Sequence, residues 1–318
     1  MKKAFAVLLI LGLAVGTGLR PLAAQDRSLK GKISISGAWA LYPMVQKWVE
    51  EFTKLYPAVR IDVQAGGAGK GIADALAGMV DIGMVSRDVH PAEVEKGALP
   101  IAVTKDAVVG TVNAKNPLLK EISARGAKKE ALAGLWITST VKTWGEVIGT
   151  ANRTEVQVFT RSDACGAAET WAAYFGMRQE DLQGIGVYGD PGLADAVRRD
   201  LLSIGFNNVN FAYDAKTKRP IEGLAILPLD QNGNGKIDPE ENVYATRDQI
   251  CAAIINGKYP SPPARDLYFV TKGVPSSNAV KAFVRWVLTK GQAYVPETGY
   301  INLPPDKLKK GLTLLGEK

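Results

Sequence analysis

An arginine, an aspartate and a cysteine fall within five residues in the stretch RSDACGAAETW (161–171), just before what reads as a helix start. Three chemistries fit those residue types. Arg161 offers a planar two-pronged donor for an oxyanion, with Asp163 placed to orient it. Cys165 at a helix N-terminus beside an arginine suits a thiolate nucleophile. It also suits half of a disulfide with Cys251, the other cysteine of the chain. Spacing alone does not choose among them. Two further loops share the character of this one, each following a strand and opening a helix: SGAWA, with Ser36, Gly37, Ala38, Trp39 and Ala40, and AGGAGKG, with Gly67, Ala68 and Gly69. Free N–H groups and the positive end of the dipole make helix N-termini anion sites, and glycine lets backbone approach a ligand closely. Ser86 and Arg87, after a third strand, add a hydroxyl and a second guanidinium to the candidate ligand set. Trp39 suits either the floor of a cleft or a hydrophobic core.

A separate oxygen-rich motif lies at DQNGNGKIDPEE (230–241). Its spacing matches the twelve-residue calcium loop at each defined position. Asp230, Asn232 and Asn234 supply side-chain oxygens at positions 1, 3 and 5, Lys236 a carbonyl at 7, Asp238 an oxygen at 9 and Glu241 a bidentate carboxylate at 12. Gly235 permits the sharp turn, and Ile237 should pack inward. The preceding GLAILPLD reads as a strand, so the expectation is a lone structural calcium loop. No sensor pair is expected.

The elements that must position these groups are legible from periodicity. KISIS, VRIDVQ and DIGMVS read as strands, and Met44, Val45, Trp48, Val49 and Phe52 form one apolar helical face behind Pro43. Strand, helix, strand, helix, strand is the pattern of a doubly wound, mostly parallel α/β sheet, which binds ligands at the carboxyl ends of its strands. LPIAVTKDAVVGTVNAKNP reads as two short strands leading into a second alternating set, and ARDLYFVTKGVP as a strand returning to the first. The expected organisation is a signal segment at 1–24, one lobe from 25–112 plus 260–318, and a second lobe at 113–259 that contains the calcium loop.

The first segment carries Lys2 and Lys3, then an apolar run too short to span a bilayer, then small residues near Ala24, as a secretory signal does. No cysteine stands there to be acylated. Removing it reduces the 39 basic residues to 36 against 32 acidic, a net charge of +4. No nucleic-acid signature accompanies so mild a charge. One histidine, His90, and no CxxC pair argue against metal binding by the thiols.

ISGAWALYP, AGGAGKGIADAL, DIGMVSRDV and RSDACGAAETW, in this order, resemble the PstS-type phosphate-binding proteins of bacterial ABC transporters, members of the type II periplasmic binding fold. The resemblance covers nearly all of the chain after the signal. It implies a two-lobed protein with a double-crossover hinge that is not an enzyme. It also implies a periplasmic location, a small oxyanion ligand, phosphate first, an ABC permease partner and a monomeric state. Arg161 and Gly166 match the family's third loop. Leu41, Ala68, Cys165 and Ala167 stand where the family carries hydroxyls or small polar groups. Candidate replacements are Ser36, Tyr42, Ser86, Asn207 and Asn208. The loss leaves open a different small ligand, a Cys165-based enzyme and a scaffold that binds nothing.

Overall fold

The computed structural model describes residues 28–316; the expected signal segment, 1–24, lies outside them. Among the described residues nine strands form one sheet: β1 (Gly31–Gly37), β2 (Val59–Ala65), β3 (Ile82–Val85), β4 (Ala98–Asn113), β5 (Gln157–Arg161), β6 (Ile185–Val187), β7 (Ser203–Asn208), β8 (Leu224–Ile226) and β9 (Ala264–Lys272). Their spatial order is β2-β1-β3-β9-β4-β7-β5-β6, with β8 also on β4. At one end β1 runs parallel to β2 and β3, and at the other β5 runs parallel to β6 and β7. The centre is antiparallel, where β9 lies between β3 and β4, and β4 pairs with β7. The mostly parallel expectation therefore holds for each end of the sheet and yields at the junction.

Two large hydrophobic cores flank that junction, with a small satellite at Ala194, Val197 and Leu224. The first is built from residues 33–103 and 267–315 and the second from residues 107–264 together with Ile301. β4 belongs to both, because it is one sixteen-residue strand where the sequence suggests two short ones. Its pairing with β9 shifts register between Ala102 and Thr104, and that irregularity accounts for the interrupted pattern in the sequence. The β4–β9 ribbon thus carries the chain out of the first half and back again.

In the first half, the helix Tyr42–Leu55 buries Met44, Val45, Trp48 and Phe52, with Pro43 in its first turn. Trp48 donates from Nε1 to the Gly291 carbonyl at 2.8 Å, and Phe52 meets Phe283 edge to face at 5.1 Å. Burial of each such side chain stabilises by about 1.5–3 kcal/mol. In the second half Trp171 stacks on Phe206 at 5.6 Å and meets Trp136 edge to face at 5.3 Å. These cores fix the helices whose N-termini face the junction. No helix among the described residues is long and apolar enough to cross a membrane.

Candidate functional site

The strand-end loops of both halves meet at the junction. In the first half, Gly37 ends β1 and contacts the backbone at Gly71 and Met84, an approach that any Cβ would prevent. The amides of Gly66 and Gly67 donate to the Gly37 carbonyl at 2.8 and 3.1 Å, so the first two glycine loops form one unit. Gly67, at φ +89°, caps the helix Ala68–Ala77, and the Gly69 amide reaches across to the Ala164 carbonyl of the second half at 3.1 Å. Ser86, following β3, touches Gly166: a Cβ on that glycine would lie 2.1 Å from the Ser86 carbonyl oxygen and 2.3 Å from its Oγ. The two halves are closed upon one another, and Gly67, Gly69, Ser86, Arg161, Cys165 and Gly166 share one locus.

Arg161, at the end of β5, is fully buried on its side chain and already paired. Asp163 takes Nε at 2.8 Å and one Nη at 2.6 Å, the bidentate geometry expected of a carboxylate two residues on. Asp190 takes the other Nη at 2.7 Å. Burial alone disfavours the guanidinium charge, and the facing Asp190 and Asp163 more than offset it. Three of the five guanidinium donors are used, which leaves one N–H on each terminal nitrogen. Arg161 is therefore no free cation, and Asp163 stands beside it as the sequence spacing suggests, with Asp190 as a second carboxylate partner.

The network extends to the crossing strands. Asp190 also accepts from the Asn208 amide at 3.0 Å and from Asn208 Nδ2 at 2.7 Å. Asn208 in turn accepts from Arg265 of β9, which bonds to the Gly166 carbonyl, to Thr170 Oγ1 at 2.8 Å and to Asp106 of β4 at 3.1 Å. Two guanidiniums thus face three carboxylates, an excess of negative side chains around a proposed anion site. An anion there must rely on backbone N–H groups and helix ends. Burial pushes the Asp106 carboxyl up to about 6 against the pull of Arg265.

Other expected residues are placed differently. Ser36 donates its hydroxyl to Asp74 at 2.7 Å, and Lys70 bonds the same oxygen. Asn207 is buried between Thr111 Oγ1 and the Asp190 carbonyl, so it braces the network with its side chain. Arg87 is clamped by Glu93 at 2.7 and 2.9 Å and lines a cavity of about 540 Å³ beside the crossing strands, shared with His90, Thr170 and Arg265. Ala38, Ala40 and Ala68 lie in the first core and Ala167 in the second. Trp39 is half-buried and spans both halves, which corrects the core reading. It meets Tyr188 and Phe211 edge-on.

Cys165 is the N-cap of the helix Gly166–Tyr174, its sulfur accepting from the Ala168 amide at 3.4 Å. Burial pushes its thiol up to about 12 although Arg161 pulls the other way, so it is no thiolate nucleophile at neutral pH. Both cysteines are free thiols, and no hydrogen bond links His90 to Cys165 among the described residues. Asn208, a candidate from the sequence, joins the charged network, whereas nothing in the sequence pattern singles out Asp106 or Arg265. For Asp190 the one available signal was YGDPGLAD, a further strand-end loop opening a helix with an aspartate.

A model described as a PBP superfamily domain matches residues 22–290. The chain belongs to that superfamily. The Pseudomonas aeruginosa phosphate-binding protein PstS is 25% identical over 99% of this chain and 99% of its own. PstS of Methanocaldococcus jannaschii is 24% identical, covering 88% of this chain and 85% of its own. Among solved structures, one from Clostridium perfringens with bound phosphate superposes with a TM-score of 0.71 at 21% identity, covering 86% of this chain and all of that one. An ABC-type phosphate transport receptor from Vibrio cholerae gives 0.61 at 20% identity over the same shares. Membership makes the chain a non-enzymatic binding protein.

In the 230–241 loop, Gly235 sits at φ +82° and Ile237 packs on Gly126. Asp230 and Glu241 are buried. Asp230 accepts the amides of Asn234 and Gly235 at 3.1 and 2.8 Å, and Glu241 that of Gln231 at 2.8 Å. Asp238 faces Lys236 at 2.8 Å and accepts from the side-chain Nδ2 of Asn232 and Asn234 at 2.9 and 2.7 Å. Among the described residues no three His, Cys, Asp or Glu side chains converge as a metal cage.

Proposed function

We propose that the protein captures inorganic phosphate between its two halves outside the cytoplasmic membrane and delivers it, as a monomer, to an ABC permease. The observation that carries the reading is the convergence of Gly67, Gly69, Ser86 and Gly166, from both halves, on the Arg161–Asp163 pair. The relatives that carry the name phosphate-binding protein PstS favour the ligand. Hinge closure along the β4–β9 ribbon is the motion that would trap it. The carboxylates offset Arg161, and the Gly67 and Gly69 amides donate to the Gly37 and Ala164 carbonyls, so ligand entry has to release the Gly69–Ala164 bond between the halves for that amide to donate, and Ser86, at the Gly166 contact, adds a hydroxyl. Calorimetric titration of phosphate-stripped protein with phosphate, arsenate, sulfate and molybdate tests this. Absence of heat with all four sinks the oxyanion reading.

We further propose that the 230–241 loop takes calcium as a stiffening ion in the second half. The support is the full spacing match, the positive φ of Gly235 and the inward Ile237. Binding requires Asp238 to leave Lys236 and the Asn232 and Asn234 side chains to turn their oxygens inward, a rotation that exchanges the two ends of an amide. Calcium at about 100 times its dissociation constant should stabilise the fold by about 2.7 kcal/mol. An identical melting temperature in millimolar calcium and in chelator excludes the site.

A further inference from the structure

The anion cradle does not account for the indole of Trp39. Its Nε1 is buried with no hydrogen-bond partner. Buried N–H groups are almost always paired in folded proteins, so an orphan calls for an occupant. Trp171 and Trp286 carry the same unpaired nitrogen, but each lies inside a single core. Trp39 instead leaves β1 in the first half and meets aromatic rings of the second: Tyr188 at 6.5 Å and 87°, and Phe211 at 6.4 Å and 84°. Those two edge contacts hold the ring in one orientation. Under it lies Gly189, at φ +73°, where an added Cβ would be 3.3 Å from Cε2 and 3.5 Å from Nε1. The Gly189 amide donates at 3.1 Å to Asp163 Oδ1, the oxygen that also takes Arg161 Nε. The indole N–H is thus one residue away from the Arg161–Asp163 unit.

We infer that Trp39 Nε1–H is a direct donor to the bound oxyanion, supplied by the first loop in place of the hydroxyl that Leu41 lacks. The inference rests on the oxyanion reading above. It adds a neutral, donor-only group to a site whose cationic side chain is already balanced by carboxylates. The ligand class it selects is a tetrahedral anion presenting at least one bare oxygen to the first half. The ring contacts with Tyr188 and Phe211 make that donor available only when the halves are closed, so donation and closure are coupled.

Titration of wild type and Trp39→Phe with inorganic phosphate separates the donor from the ring, because phenylalanine keeps an aromatic edge and loses the N–H. The dissociation constant should rise by about 10-fold or more, the value of one hydrogen bond to a charged group. In wild type, the indole ¹H–¹⁵N cross-peak absent from Trp39→Phe should move on phosphate addition. Equal affinity of the two proteins, or an unmoved cross-peak at saturating phosphate, overturns the inference and leaves the phosphate reading intact. Wild type that binds no oxyanion overturns both. If Trp39→Phe fails to fold by circular dichroism, the wild-type cross-peak, assigned through Trp39→Leu, decides.

Discussion

Replacing Gly166 by alanine should uncouple ligand binding from folding. Gly166 opens the helix Gly166–Tyr174 at a negative φ, so alanine suits the backbone there and should leave the second half as stable or up to about 1 kcal/mol more stable. The new methyl faces the other half. It would sit 2.1 Å from the Ser86 carbonyl oxygen and 2.3 Å from Ser86 Oγ, whereas carbon and oxygen come no nearer than about 3.3 Å even in close C–H contacts. The hydroxyl can rotate away, but the carbonyl is backbone and cannot. The halves must therefore part by about 1 Å at the centre of the site, and relief of such overpacking costs about 1–3 kcal/mol. That penalty falls on the closed state alone, so phosphate affinity should drop by roughly 5- to 150-fold. Calorimetry gives the affinity, small-angle scattering with and without phosphate gives the closure, and urea unfolding checks the stability. Wild-type affinity together with wild-type compaction in Gly166→Ala would refute the claim that Ser86 and Gly166 form the closing contact.

Three further outcomes are expected. Arg161→Met strands Asp163 and Asp190 without their shared cation, so urea unfolding should show a loss of about 3–5 kcal/mol, with a loss under 1 kcal/mol counting against the buried network. Asp106 holds its proton more tightly folded than unfolded, so its contribution is complete below about pH 4 and is lost as pH rises through about 6. The wild-type stability difference between those two pH values should exceed that of Asp106→Asn by roughly 1–3 kcal/mol in the sense of greater loss, and parallel profiles would contradict it. Cys165→Ser returns a hydroxyl to the helix start and should tighten phosphate binding several-fold, while the native thiol, pushed up to about 12, should resist alkylation at pH 8 until the protein unfolds.

What the sequence made legible was local. The Arg161–Asp163 clamp spans two residues, and the glycine loops sit directly between a strand and its helix, so composition and periodicity expose both. The helix Tyr42–Leu55 shows its buried face in the 3.6-residue spacing of Met44, Val45, Trp48 and Phe52. The remainder depends on pairs that only the sheet brings together. Asp106 faces Arg265 because β4 and β9 run antiparallel in that register, across 159 residues of chain. Asn208 meets Asp190 because β7 and the helix Gly189–Arg199 share one sheet end. The same long-range geometry settled Trp39, whose apolar character fits a core as well as a cleft until Tyr188 and Phe211 are seen opposite it.

The place of β9 in the sheet has a consequence for synthesis. Residues 264–272 fill the slot between β3 and β4, so the first half has a gap in its sheet until residue 272 has been made. The second core comes, apart from Ile301, from one continuous stretch, residues 107–264, whereas the first needs β9 and waits with strand edges at β3 and β4 unpaired. Late arrival of one strand thus leaves the facing edges of β3 and β4 without their partner while β5 to β8 are made. A chain shortened before residue 264 would leave those edges permanently open, and its failure would be aggregation through the first half with the second half still compact.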